Sequence, residues 1–86
     1  MVISGILIET IIGKAREAAT ELEKISGVEV HHIEAESKVI ITLEADTIND
    51  SYETSKLFEG IEGVLTVCLV YTNFEGQQIS EVDVLQ

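Results

Sequence analysis

His31, His32 and Cys68 are the side chains in this chain best suited to hold a metal or carry thiol chemistry. A zinc site takes three or four ligands spaced to converge on one ion, so Glu29 or Glu34 would have to complete a set around the two histidines. Successive residues of a strand point to opposite faces, and two adjacent histidines in β structure are therefore expected to diverge. Cys68 has no CxxC companion and no second cysteine to bridge, which fits a reducing compartment. Glu9-Thr10-Ile11-Ile12-Gly13-Lys14 shares only its last two letters with a phosphate-binding loop. The serines and threonines have no base beside them in a pattern readable as an activated nucleophile. We therefore expect no metal, no cofactor and no catalytic set. By elimination the function is binding, and the chain is not an enzyme.

Charge narrows the partner. Asp and Glu number 16 against 5 Lys and Arg, a formal net charge of −11. Such a field repels phosphate backbones and anionic lipid surfaces, so neither nucleic acid nor a membrane is expected, and it attracts cationic partners. Most individual carboxylates need no role beyond keeping the surface soluble. The chain has 86 residues, 45% of them hydrophobic, enough for one two-layer core and too few for two. No apolar run approaches the roughly 18 residues of a membrane span. The opening Met1-Val2-Ile3-Ser4-Gly5-Ile6-Leu7-Ile8 has no basic leader, so a cytoplasmic protein is expected.

The elements that must position a binding surface follow from a phrase used twice, Ile25-Ser26-Gly27-Val28 and Ile61-Glu62-Gly63-Val64. Each copy falls where a helical period gives way to a β-rich one, which implies two fused βαβ-like halves. Ile3 to Ile8 is a continuous apolar run, expected to be a central strand. Ile11, Ala15, Ala18, Leu22 and Ile25 then form one helical stripe, with Thr10 as its N-cap and Gly27 ending it. Val28 to Ile33 and Lys38 to Ala45 read as a hairpin joined by Glu34-Ala35-Glu36-Ser37. A second helix, capped by Asp46, Thr47 or Asn49, is expected through Gly60, with Ile48, Tyr52, Ser55, Phe58 and Ile61 on its buried side. Ser55 makes it the weaker helix. Val64 to Tyr71 is a β-branched fourth strand, with an extension to Phe74 left open.

The order βαββαβ is the split βαβ plan, an α+β fold of ferredoxin-like type: a four-stranded antiparallel sheet of order 4-1-3-2 with two helices on one face. We expect this domain to span residues 1–75. Residues 76–86 form a tail in which Ile79-Ser80-Glu81-Val82-Asp83-Val84-Leu85 alternates imperfectly, and either a fifth strand or a loose segment fits it.

Helices on one side leave the other side of the sheet bare. Strand parity assigns Ile6, Ile8, Val39, Ile41, Leu43, Leu65, Val67, Leu69 and Tyr71 to the helix side. The bare face then carries Ile3, Gly5, Leu7, Ile40, Thr42, Thr66, Cys68, Val70 and Thr72, with Glu9 and Glu44 at its margins. Apolar area among small side chains suits a partner laid across the sheet. The same patch would suit coverage by the tail, or a homodimer formed sheet to sheet.

Ile3-Ser4-Gly5-Ile6-Leu7-Ile8, Gly27-Val28-Glu29-Val30-His31 and Glu62-Gly63-Val64-Leu65-Thr66-Val67-Cys68-Leu69-Val70-Tyr71 together resemble the NapD family, small chaperones for assembly of the periplasmic nitrate reductase. The likeness spans about residues 3 to 74. It implies a cytoplasmic protein that binds the twin-arginine signal peptide of a molybdenum-containing reductase and delays export until the cofactor is inserted. Such a peptide has a cationic region followed by an apolar one, which acidic Glu9, Glu29 and Glu44 around the apolar face could meet. Parity makes Ile3, Gly5, Leu7, Glu9, Ile40, Thr42, Glu44, Thr66, Cys68 and Val70 the candidate peptide-binding residues. A competing expectation is an ACT-like regulatory module binding a small molecule at a dimer interface, although the first strand-to-helix connection lacks the glycine-rich turn such sites often use. A metallochaperone is a third.

Overall fold

The computed structural model describes residues 1–74. The expectation for residues 76–86, as a fifth strand or otherwise, lies outside the described residues. Six elements follow in the expected order: β1 (Val2–Thr10), α1 (Ala15–Glu23), β2 (Val28–Glu34), β3 (Lys38–Ala45), α2 (Ile48–Phe58) and β4 (Val64–Phe74). All pairings are antiparallel and the sheet order is β2-β3-β1-β4, the split βαβ topology with β1 and β3 in the centre.

The repeated phrase builds the same turn twice. After α1, Ile25 N–H donates to the Leu22 carbonyl and Val28 N–H to the Ile25 carbonyl; after α2, Ile61 donates to Phe58 and Val64 to Ile61. Gly27 and Gly63 both sit at positive φ, 89° and 95°, where a side chain is strained. Gly27 has a second reason to be glycine: its carbonyl accepts from Glu44 N–H at 2.8 Å, and a Cβ there would collide with the Glu44 carbonyl oxygen. The phrase thus locks each helix exit to the strand that follows it.

The core lies between the sheet and the helices. Ile6 and Ile8 from β1, Val39, Ile41 and Leu43 from β3, Ala15, Ala19 and Leu22 from α1 and Phe58 from α2 are all buried together. Small residues on α1 let it lie close over β2 and β3. Helix α2 packs on β3 and β1 and buries only Phe58 fully. It covers the helix side of β4 only in part: Val64 and Val67 are partly buried against the core, while Ile48, Tyr52 and Leu69 remain more than half exposed.

The structure corrects three local expectations. Thr10 does not cap α1. It continues β1 to pair with Val64, and its N–H donates to the Ser37 carbonyl at 2.8 Å. The chain then needs the Ile11–Lys14 turn, with Gly13 at φ 92°, before α1 can start, and Ile11 is left half exposed rather than in the helical stripe. On α2, Thr47 is the cap among the three offered: its side-chain oxygen accepts from Asp50 N–H at 3.0 Å. That helix ends at Phe58 rather than Gly60, and Ile48 and Tyr52 are not buried as their period implied, because the helix does not reach across β4.

Candidate functional site

The uncovered face of the sheet is built by alternation along β1 and β3 and by the register between strands. Its side chains fall into four rows. Glu44 and Ile3 lie in line with Asn73; Glu29, Thr42, Gly5 and Tyr71 form the second row; His32, Ile40, Leu7 and Cys68 form the third; Glu34, Lys38, Glu9 and Thr66 form the fourth. Carboxylates therefore occupy both ends of the face, and its middle is apolar. Ile3 and Leu7 are half-buried, while Ile40 is 38% and Val70 64% exposed. A shallow hollow of about 490 Å³ opens on the second and third rows, lined by Gly5, Leu7, His31, Ile40, Val70 and Tyr71 among others.

The ten candidate peptide-binding residues lie on this face, and Thr72, the eleventh residue that parity assigned to it, does not. Ile3, Gly5, Leu7 and Glu9 come from β1, Ile40, Thr42 and Glu44 from β3, and Thr66, Cys68 and Val70 from β4. They are held by few polar contacts: the Thr66 hydroxyl donates to a Glu9 carboxylate oxygen at 3.1 Å, and His31 Nε2 and Thr42 Oγ1 share a hydrogen bond of 2.8 Å.

Bulges change the membership of the face at three positions. Between the pairs Ile6↔Leu69 and Gly5↔Tyr71, β4 carries Val70 as an extra residue, which inverts the parity beyond it. Tyr71, expected toward the helices, lies instead on the open face over Gly5, so close that a Cβ at position 5 would collide with the ring. Thr72, expected on the open face, is turned to the helix side, where its hydroxyl lies 3.4 Å from that of Ser4. Leu65, also expected toward the core, is displaced by a second irregularity between Glu9 and Thr10 and stays 64% exposed.

The third bulge is in β2, between Val30↔Ile41 and His32↔Ile40. It cancels the alternation that should have separated the two histidines. His32 pairs with Ile40 on the open face, and His31 reaches Thr42 on the same face. Both imidazoles are exposed. Among the described residues, no three His, Cys, Asp or Glu side chains come together to hold a metal ion.

The face keeps its negative charge. Among the described residues the ion pairs are all on the helices, Lys14–Glu17, Lys24–Glu21 and Lys56–Glu53, each spaced three residues apart. Among the described residues Lys38 is the one lysine or arginine on the open face, and Glu9, Glu29 and Glu44 have no ion-pair partner there. The arrangement can take a ligand with an apolar stretch and adjoining positive charge.

Tyr71 and one of the two adjacent histidines are the members of the face that strand parity misses. Gly5 offers a clue to Tyr71, because a glycine in a central strand marks close approach by a neighbour; nothing in the local composition marks the β2 bulge.

Known proteins carry a consistent signature. The family model described as NapD protein matches residues 1–76. The solution structure of the Tat proofreading chaperone NapD of E. coli superposes with a TM-score of 0.76 at 26% identity, covering 90% of this chain and 82% of that one. Individually curated protein sequences contain no match. Agreement of fold and sequence over nearly the whole described chain sets aside the ACT-like module, and the chain belongs to the NapD family.

Proposed function

We propose that this chain performs the assembly-chaperone role of its family by binding the twin-arginine signal peptide of a molybdenum-containing reductase, the periplasmic nitrate reductase or a related enzyme, on the open face of the sheet. Bound there, the peptide is withheld from the export machinery until the cofactor has been inserted. This reading places the protein in the cytoplasm, where the unexported precursor is made, and assigns it no catalysis of its own. No described helix is long and apolar enough to cross a membrane.

The observation that carries the reading is the distribution of charge around grease. An apolar middle, from Ile3, Leu7, Ile40, Val70 and Tyr71, lies between unneutralised carboxylates: Glu44 and Glu29 toward one end, Glu9 and Glu34 toward the other. A peptide whose two arginines precede an apolar run can set its guanidinium groups against Glu29 and Glu44 and its apolar residues along the row of Ile40 and Leu7. Burial of the apolar part supplies most of the affinity, and the charges orient and speed the encounter.

Calorimetric titration with a synthetic twin-arginine signal peptide tests this directly. Saturable binding is expected, weakened when Arg-Arg becomes Lys-Lys because an ammonium cannot make the forked contacts of a guanidinium. Leu7→Glu should abolish binding while leaving the circular dichroism spectrum unchanged, since Leu7 lies off the core. Equal binding by that variant would remove the peptide from this face.

A further inference from the structure

β4 is an edge strand with the composition of a central one. Positions 63 to 74 contain no Asp, Glu, Lys or Arg, the longest such run in the chain, and no proline interrupts it. The sheet order ends at β4, and among the described residues nothing pairs with its outer side. Edges left in this state invite another strand, and proteins guard them with charge, proline or bulges. The opposite edge obeys that rule: β2 carries Glu29 and Glu34 and is broken at the histidines. β4 has irregularities at Leu65 and Val70, but the stretch from Thr66 to Leu69 stays in unbroken register between them. Apolar side chains are exposed on both its surfaces, Leu69 at 61% toward the helices and Val70 at 64% on the open face.

We infer that the outer edge of β4 docks a second copy of this chain, the two β4 strands pairing antiparallel about a two-fold axis to form one sheet continuous through both molecules. The occupant follows from charge and from register. A chain of net charge −11 meets its own copy at a cost wherever carboxylates face each other, and β4 is the one strand of the sheet edge that brings none. A two-fold axis normal to the sheet keeps the open face of both copies on the same side, so residues opposed across it must share a face. Centring on Leu69 fails this condition, because it sets Val67 against Tyr71. Centring on Cys68 meets it: Thr66 faces the second copy's Val70 on the open side, and Val67 faces the second copy's Leu69 on the helix side. The apolar row of Ile40, Leu7 and Cys68 then runs on into the same row of the second copy. Two peptide-binding faces become one extended surface. The inference does not depend on what that surface binds.

The register makes Cys68 a reporter of itself. Directly opposed residues of an antiparallel pair bring their Cα atoms to about 4.5–5.5 Å, within the range a disulfide spans. Sedimentation equilibrium of the full chain, reduced, from micromolar to near-millimolar concentration, is expected to show a reversible monomer–dimer equilibrium. Mild oxidation with diamide, which accepts the two electrons and two protons released by two thiols, should trap the dimer through Cys68. Leu69→Lys, on an exposed position that leaves the circular dichroism unchanged, should weaken dimerisation by about tenfold or more, equivalent to about 1.4 kcal/mol. It should slow trapping in parallel. A monomer at every concentration would overturn the inference, as would a dimer whose Cys68 is trapped no faster than that of Leu69→Lys. Monomers in which the outward-pointing β4 amides, those not bonded to β1, resist hydrogen exchange would assign the edge to residues 75–86 instead, again overturning it.

Discussion

At Gly5 the backbone of β1 passes directly beneath the Tyr71 ring, and the absence of a side chain there is what lets the ring lie flat against the sheet. The ring forms one wall of the apolar hollow, so position 5 acts on the binding face through its neighbour. Gly5→Ala is expected to lift the ring and weaken peptide binding by several-fold, with a modest loss of stability because the half-exposed ring can swing outward. In a Tyr71→Ala background the same substitution should cost almost nothing. The four-member cycle, read by calorimetry, isolates that coupling; additive losses would mean that Gly5 contributes to binding without Tyr71. The ten face residues are readable from alternation alone, since β1 and β3 are regular and each apolar set points one way. Tyr71 is not, because it lies just past an inserted residue whose position depends on how β4 must twist to follow β1.

The elements show the same division between what a short sequence window contains and what the assembled sheet imposes. The hairpin of β2 and β3 is legible to within a residue of its boundaries, yet its turn uses Ala35 and Glu36 at φ 52° and 54°, a left-handed pair that favours asparagine and glycine. The Ser37 N–H closes it on the Glu34 carbonyl at 3.1 Å. Each such residue carries about 1–2 kcal/mol of strain. The double substitution Ala35→Asn, Glu36→Gly should therefore raise stability by about 1–2 kcal/mol in a urea melt, with the m-value unchanged. A lower midpoint would show that the turn is held by contacts outside its own backbone. On α2 the arithmetic runs the other way. Thr47 is its only side-chain cap and Phe58 its only fully buried residue, so Thr47→Ala should cost about 1 kcal/mol and lower the thermal midpoint. The start of α1 is not legible locally, because Thr10 looks like a cap in isolation. In the fold its N–H is already committed to Ser37 and its backbone to β4, and a cap cannot also be a paired strand residue.

Across the whole molecule, charge and grease are sorted to different places. The bases are mostly spent in exposed helix pairs, each worth about 0.3–0.5 kcal/mol, on the side away from the open face. The sheet side keeps Glu9, Glu29, Glu34 and Glu44 against a single lysine. A cationic signal peptide is thus drawn toward the molecule as a whole and then toward the rim of its apolar band. Because the rim carboxylates are exposed, that attraction is screened over a Debye length of about 8–10 Å at physiological salt. Association rate and residence time should separate cleanly as a result. In stopped-flow measurements the association rate is expected to fall steeply as sodium chloride rises toward half-molar, while the dissociation rate changes little, since apolar contacts around Leu7 and Ile40 set it. The double variant Glu29→Gln, Glu44→Gln should flatten the salt dependence of association and leave dissociation nearly unaltered. A dissociation rate that instead climbs with salt would mean that the guanidinium contacts, and not the apolar band, hold the peptide in place.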